Sequence, residues 1–328
     1  MKKIQNIPKV ELHSHLEGTI TPALVRKIAK RNNITLNEGL FTNEDKFAWG
    51  DFVSFLRAYD EASLCLRKSI DYEEITYEYF KSCANEGVIY AETFVSPDHA
   101  AAVGISYEDM ILGCAKGIDR VENEFDIIAR IIITCVRHLG PDQATKIAQI
   151  MINNPHPYVV GFGMGGDESM YAMKDFSGVY KIISDGGYAS TVHAGEVCGP
   201  KSVWDAINYL PVTRIGHGVR SIEDDGLMTE LYNRDISLEV CPGSNLALQI
   251  YKDWQSHPLN QILESGISVS LNSDDPPFFN TSIGNEYENG SSIFNLSTKE
   301  LCKISAMAIE ASFIDDKTKA RLLLKIPN

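Results

Sequence analysis

Residues 188–217 read Tyr-Ala-Ser-Thr-Val-His-Ala-Gly-Glu-Val-Cys-Gly-Pro-Lys-Ser-Val-Trp-Asp-Ala-Ile-Asn-Tyr-Leu-Pro-Val-Thr-Arg-Ile-Gly-His. A short β-branched run, Ala189–His193, is followed by a segment of helical period, Ser202–Leu210, and then by a second short run, Arg214–Gly216. Strand, helix and strand within one such stretch form a parallel βαβ unit, because parallel strands need a crossover between them. The rhythm extends in both directions. The other candidate strands are Val10–His15, Val88–Ser96, Ile127–Arg137, Tyr158–Gly163, Ser237–Val240 and Ser268–Asn272. Helical segments alternate with them at Pro22–Arg31, Tyr107–Glu124, Gln143–Ile152, Gly178–Ser184, Asp224–Asn233 and Leu259–Ser265. The pattern predicts a single α/β domain over residues 1–328, folded as a (β/α)8 TIM-type barrel.

Two regions exceed a minimal barrel. Residues from about Phe41 to Gly87 insert helices after the first strand, and the tail from Lys299 to Lys325 reads as closing helices. In the insert, Phe52, Phe55, Leu56 and Tyr59 share one helical face. Such a stripe either packs into the core or forms an apolar lid over the barrel mouth.

The chain has 328 residues, 44% of them hydrophobic, ample for a sizeable core, and a formal net charge of -14. An acidic surface does not attract nucleic acid phosphates or anionic lipid, so neither a nucleic acid nor a membrane is expected as a partner. The ligand expected is a small molecule. The seven cysteines are scattered and form no C-x-x-C pair, the usage of a reduced compartment. No apolar run of signal-peptide length follows Met1-Lys2-Lys3-Ile4, so a cytoplasmic location is expected. The sequence carries no signal for oligomeric state.

Parallel barrels place their active sites at the carboxyl ends of the strands. The polar residues there are His13 and His15, then His193 and Glu196, then His217, then Asp274 and Asp275. Residues two apart on a strand face the same side, so the rings of His13 and His15 can share one cation. An H-x-H pair alone is a weak signal. His193 and Asp274 strengthen it, since three imidazoles and a carboxylate suit a divalent first-row metal, zinc above all, with a position left for water. Glu196 can donate a proton beside the metal without ligating it. His217 can orient water or serve as a hydrogen-bonded structural residue. Successive side chains at a strand end diverge, so one of Asp274 and Asp275 can bind metal while the other faces substrate. His99, His138, His156 and His257 lack such company and read as surface or loop histidines.

Taken in order, the stretches Val-Glu-Leu-His-Ser-His-Leu-Glu-Gly (10–18), Gly-Gly-Asp-Glu (165–168), His-Ala-Gly-Glu (193–196), Gly-His-Gly (216–218), Cys-Pro-Gly-Ser-Asn (241–245) and Asn-Ser-Asp-Asp-Pro (272–276) resemble the adenosine deaminase family of metal-dependent amidohydrolases. The resemblance implies one zinc ion per chain, held by His13, His15, His193 and Asp274. Glu196 would protonate purine N1, while His217 and Asp274 would orient and activate the attacking water. Asp275 would bond the purine near N7, the Gly166 backbone N–H would bond N3, and His15 and Glu17 would lie near the ribose. On this reading the reaction is hydrolysis of adenosine and 2′-deoxyadenosine to the inosines and ammonia. The alternatives are adenine deamination and a catalytically silent purine-binding barrel. Two departures bear on the choice. Glu17 stands where the adenosine branch usually has aspartate, and Gly163 stands where that branch commonly has aspartate. A binding protein that had lost catalysis would have no need of Glu196 and His217. The zinc deaminases of cytosine-type bases use a P-C-x-x-C motif, which this chain lacks.

Overall fold

The computed structural model describes residues 2–43 and 46–327. Eight parallel strands form one sheet in sequential order: β1 (Lys9–Glu11), β2 (Val88–Val95), β3 (Ile128–Val136), β4 (Val159–Gly165), β5 (Ala189–Ala194), β6 (Arg214–His217), β7 (Ser237–Val240) and β8 (Val269–Leu271). A parallel bridge between Ser14 and Asp274 draws the two edges together. The Asp274 N–H donates to the His13 carbonyl at 3.0 Å, and the His15 N–H donates to the Asp274 carbonyl at 3.1 Å. The (β/α)8 barrel expected from the alternation is thus the observed architecture. Its strands are buried almost throughout, as parallel strands covered on both faces must be.

The helices begin where cap residues stop the backbone donors from going unpaired. The Thr21 hydroxyl accepts from the Leu24 N–H at 3.3 Å, and Pro22 occupies the first turn, where no donor is needed. Asp51 and Ser54 form a capping box that opens the insert helix Phe52–Ser63. A second insert helix, Ser69–Asn85, and the short antiparallel pair Phe41–Asn43 and Lys46–Phe47 complete the insert, of which residues 44 and 45 lie outside the described residues. The tail forms the helices Thr298–Ala311 and Asp316–Leu323. Among the described residues no helix is long and apolar enough to cross a membrane.

Strand 1 departs from the expected Val10–His15. The ladder ends at Glu11, and His13 and His15 lie beyond it. Their backbone pairs across the seam with Asp274, while an isolated bridge from His15 to Phe94 keeps contact with β2. The seam itself brings these ligand candidates together.

Candidate active site

His13, His15, His193 and Asp274 each offer one ligand atom, and these atoms all lie within 4.8 Å of one another. The proton positions can be worked out from the partners. The His13 Nδ1–H donates to Glu239 Oε2 at 2.7 Å, which leaves a lone pair on Nε2, and that atom is buried with no partner. The His193 Nδ1–H donates to the Met164 carbonyl at 2.9 Å, so its Nε2 also carries a lone pair. That Nε2 lies 3.1 Å from His15 Nε2, which in turn lies 3.3 Å from Asp274 Oδ1. Imidazole lone pairs gathered around a carboxylate oxygen repel one another unless a cation sits between them. This donor set fits a divalent metal with N and O ligands. Cys241, with His13, His217 and Asp274, meets the same distance test. Burial holds Cys241 as a thiol, however, and its S–H donates to the Glu239 carbonyl at 3.5 Å.

The candidate ligands are braced from below. Glu239 accepts from Arg214 Nε at 2.6 Å and from Thr191 Oγ1 at 2.9 Å, and Arg214 Nη1 donates to Glu92 Oε2 at 2.7 Å. Burial alone would raise the Glu239 carboxyl pKa. Arg214 and the bond from His13 outweigh it and hold the group ionised. A carboxylate behind a ligating imidazole fixes its tautomer and its ring orientation. Gly216 makes room for this stack, since a Cβ there would lie 2.8 Å from His13 Cε1.

Glu196 is buried beside the cluster, with Oε2 3.6 Å from His217 Nε2. Desolvation, then the charges of Asp274 and Glu168, push its carboxyl well above the usual range, which is what a proton donor at neutral pH requires. Its loop is held by a residue that sequence reasoning passed over. Glu168 accepts the backbone N–H groups of Gly195 (2.5 Å), Glu196 (3.2 Å), Val197 (2.8 Å) and Cys198 (2.8 Å). His217 is held neutral, burial pushing its pKa down to about 3. Asp274 runs the other way. Burial would raise it, but His15, His217 and His13 pull it well down. His217 and Asp274 both sit in left-handed backbone (φ 58° and 62°), a conformation costly for non-glycine residues and typical of functional sites.

Asp275 lies beside Asp274 in the cleft wall. Burial and the neighbouring charges of Asp274 and Glu196 raise its carboxyl pKa well above normal, and its Oδ1 has no partner. It packs against Gly18, where a Cβ would fall 1.6 Å from that oxygen. Gly166, His15, Glu196, His217, Asp274 and Asp275 all line one cleft of about 670 Å³, open mouth included. Glu17 does not. The short 3-10 helix Leu16–Thr19 turns the chain behind the wall. The Glu17 carboxylate there accepts from the Ser96 N–H at 3.1 Å and the Tyr59 hydroxyl at 3.5 Å, and the residue is 1% exposed. The resemblance placed Glu17 near the ribose, whereas the structure puts its carboxylate behind the cleft wall.

Other corrections concern the histidines. His99 and His138 line the cleft, and each has a buried Nδ1 without a partner. His257 is buried and bonded to Asn245. Only the meeting of distant loops creates these environments, so single-residue reading had no signal for them. Arg214, Glu92 and Glu239 did leave one, as charged residues inside otherwise apolar strands.

The insert stripe does both things it could do. Phe55 and Tyr59 are buried, and Phe52, Phe55, Leu56 and Tyr59 form the outer wall of the cleft. Phe47 stacks on Phe278 at 3.9 Å, and the Trp49 indole donates to the Phe278 carbonyl at 3.1 Å. The lid is therefore fastened to the turn that follows Asp275.

A barrel whose strand ends gather three histidines and an aspartate around one hole defines a metal-dependent amidohydrolase. Comparison with known proteins narrows the class. The chain belongs to the adenosine deaminase family, whose pattern it matches over residues 8–328. It is 41% identical to an adenine deaminase of Rhizobium rhizogenes (strain K84 / ATCC BAA-868) over 321 residues, covering 98% of this chain and 99% of that one. A crystal structure of adenine deaminase from Arthrobacter aurescens superposes with a TM-score of 0.90 at 29% identity, covering 98% of both chains. An amidohydrolase from Burkholderia ambifaria with bound zinc superposes at 0.89 and 26% identity, covering 98% of this chain and 89% of that one. The protein is a hydrolase that acts on the C–N bond of a cyclic amidine, a purine deaminase.

Proposed function

We propose that the chain deaminates free adenine to hypoxanthine and ammonia, using one zinc ion held by His13, His15, His193 and Asp274. The observation that carries the choice of base over nucleoside is the placement of Glu17. Its carboxylate is bonded to Ser96 and Tyr59 and is not among the groups that line the cleft, where a ribose hydroxyl would need it. This reverses the expectation that adenosine is preferred. The relatives named adenine deaminase, about 40% identical over nearly their whole length, support the same reading. The wall above the cleft is aromatic and aliphatic, and among the described residues no lysine or arginine lines it, so a nucleotide phosphate has no counter-charge there.

When bound, the metal supplies a Lewis acid that makes water a nucleophile near neutral pH. The protein's own groups do the rest. Glu196, protonated at rest, gives its proton to N1 while the Asp274 carboxylate takes a proton from the water whose oxygen bonds to C6. Asp274 then passes that proton to the 6-amino nitrogen as the C6–N bond breaks, and the new C6 hydroxyl returns its proton to Glu196. Asp275, also held protonated by burial, donates to N7. His217 orients the attacking water, and the 6-amino group leaves as ammonia. A side-by-side ultraviolet assay of adenine, adenosine and 2′-deoxyadenosine tests the reading. Adenine should exceed adenosine in kcat/KM by orders of magnitude, and a higher value for adenosine would overturn it.

A further inference from the structure

His217 hangs from a chain of hydrogen bonds whose direction is fixed at its far end. The Leu259 backbone N–H, which can only donate, donates to His257 Nδ1 at 3.3 Å. His257 is buried, and burial pushes its pKa down to about 3, so the ring is neutral and carries its single proton on Nε2. That Nε2–H lies 3.1 Å from Asn245 Oδ1 and donates to it. Accepting through Oδ1 turns the Asn245 amide so that its NH2 faces His217, where Nδ2 lies 3.4 Å from Nδ1. A ring nitrogen that accepts a hydrogen bond cannot carry the proton of a neutral imidazole. The remaining nitrogen, Nε2, points into the site, 3.6 Å from Glu196 Oε2 and 3.9 Å from Asp274 Oδ2.

We propose that Asn245 and His257 are positioning residues that place the His217 proton on Nε2, so that His217 presents a donor rather than a lone pair to the oxygen of the attacking water. The opposite tautomer would turn a lone pair towards an oxygen that needs a donor, beside the Asp274 carboxylate. The relay reaches His217 through two buried residues that do not line the cleft, Asn245 in the short helix Pro242–Ala247 and His257 beyond it. It assigns a task to Asn245, the last residue of the Cys-Pro-Gly-Ser-Asn stretch, and to His257, which sequence reading left in a loop.

The inference rests on His217 acting on the water, and the test separates the two. The full chain, labelled with 15N-histidine, has 8 histidines, few enough to assign by imidazole nitrogen shifts. His217 is expected as the Nε2–H tautomer in metal-free and metal-loaded protein alike. Asn245→Asp keeps the size of the side chain but offers only acceptors. It should move the His217 proton to Nδ1 and lower kcat about 100-fold, within the range of a lost proton-directing group, with metal content unchanged and KM within about threefold. His257→Leu should lower kcat about tenfold, the equivalent of one modest hydrogen bond. His257→Gln, whose amide can still donate to Asn245 Oδ1, should recover most of that loss, and this pair decides the matter if Asn245→Asp does not fold. An Nδ1–H tautomer in the unmodified protein overturns the relay, as does equal loss in both His257 variants. Wild-type kcat in His217→Ala would instead overturn the role of His217, with the tautomer shifts still reporting on the relay.

Discussion

The floor and the lid of the cleft are built on different principles. The floor is ionic and braced. His13 leans on Glu239, Glu239 on Arg214, and Arg214 on Glu92, all with side chains fully buried. The lid is a set of rings. Phe47, Trp49 and Phe55 pack against Phe278 and Phe279 with no charge among them. Chemistry tolerates little misplacement of a ligand or proton donor, and directional bonds between buried groups supply that precision. Enclosing a flat base needs shape and dryness, which apolar contacts supply with more tolerance. Damage to the floor should therefore abolish turnover, and damage to the lid should weaken substrate binding while leaving the chemistry intact.

Asp274→Ala should show the largest effect, since it removes the one carboxylate of the proposed metal site while leaving the backbone bonds of the barrel seam in place. Metal analysis should find far less than one ion per chain, with turnover lost alongside it. Full activity in strong chelator would break the distinction at its root. Glu196→Gln comes next. It should keep fold and metal but lose about 10²–10⁴-fold in kcat, because a carboxamide has no acidic proton to give. Wild-type turnover in a metal-replete variant would remove Glu196 from proton transfer.

Glu239→Gln tests the bracing itself. A neutral amide behind His13 leaves Arg214 short of a counter-charge, and metal affinity should fall about 10–100-fold in competition with a chelator. Unchanged affinity would mean that the buried ion pairs serve stability alone. On the lid, Phe55→Ala should raise KM about tenfold, equivalent to ~1.4 kcal/mol, with kcat and metal content near wild type. A fall in kcat equal to the rise in KM would blur the line between lid and floor.

The smallest effect is expected away from both. Glu286 accepts from the Gly243 N–H at 3.1 Å and from the Thr281 hydroxyl, and burial raises its carboxyl pKa to about 7. Because the folded state holds this proton more tightly than the unfolded state, the contribution to stability is full below the ordinary carboxylate range. It is lost as pH rises through about 7. The melting temperature should therefore decline between roughly pH 5 and 8 on this account, and Glu286→Gln should flatten that decline by a few °C. An identical slope in the variant would refute the assignment.

Much of this protein was legible in its residue order. Strand and helix alternation gave the barrel, because periods of 2 and 3.6 are local properties of the chain. His13, His15, His193, His217 and Asp274 stood out because parallel barrels bring strand ends to one rim, so position in the pattern implied convergence. What the sequence could not decide is which way a side chain turns after the ladder stops. The family resemblance puts Glu17, two residues after His15, near the ribose. A single 3-10 turn sends it behind the wall. Asn245 and Glu168 stood in the family motifs without an assigned task, and His257 read as a loop histidine. Their partners lie 12 to 30 residues away or more, and only packing makes a hydrogen bond out of that separation. The sequence determined the reaction class through its resemblance to the adenosine deaminase family, because the motifs that carry it are read in residue order. Tertiary structure decided how the proton donors are aimed and what the cleft excludes, because direction and enclosure arise only where distant loops meet.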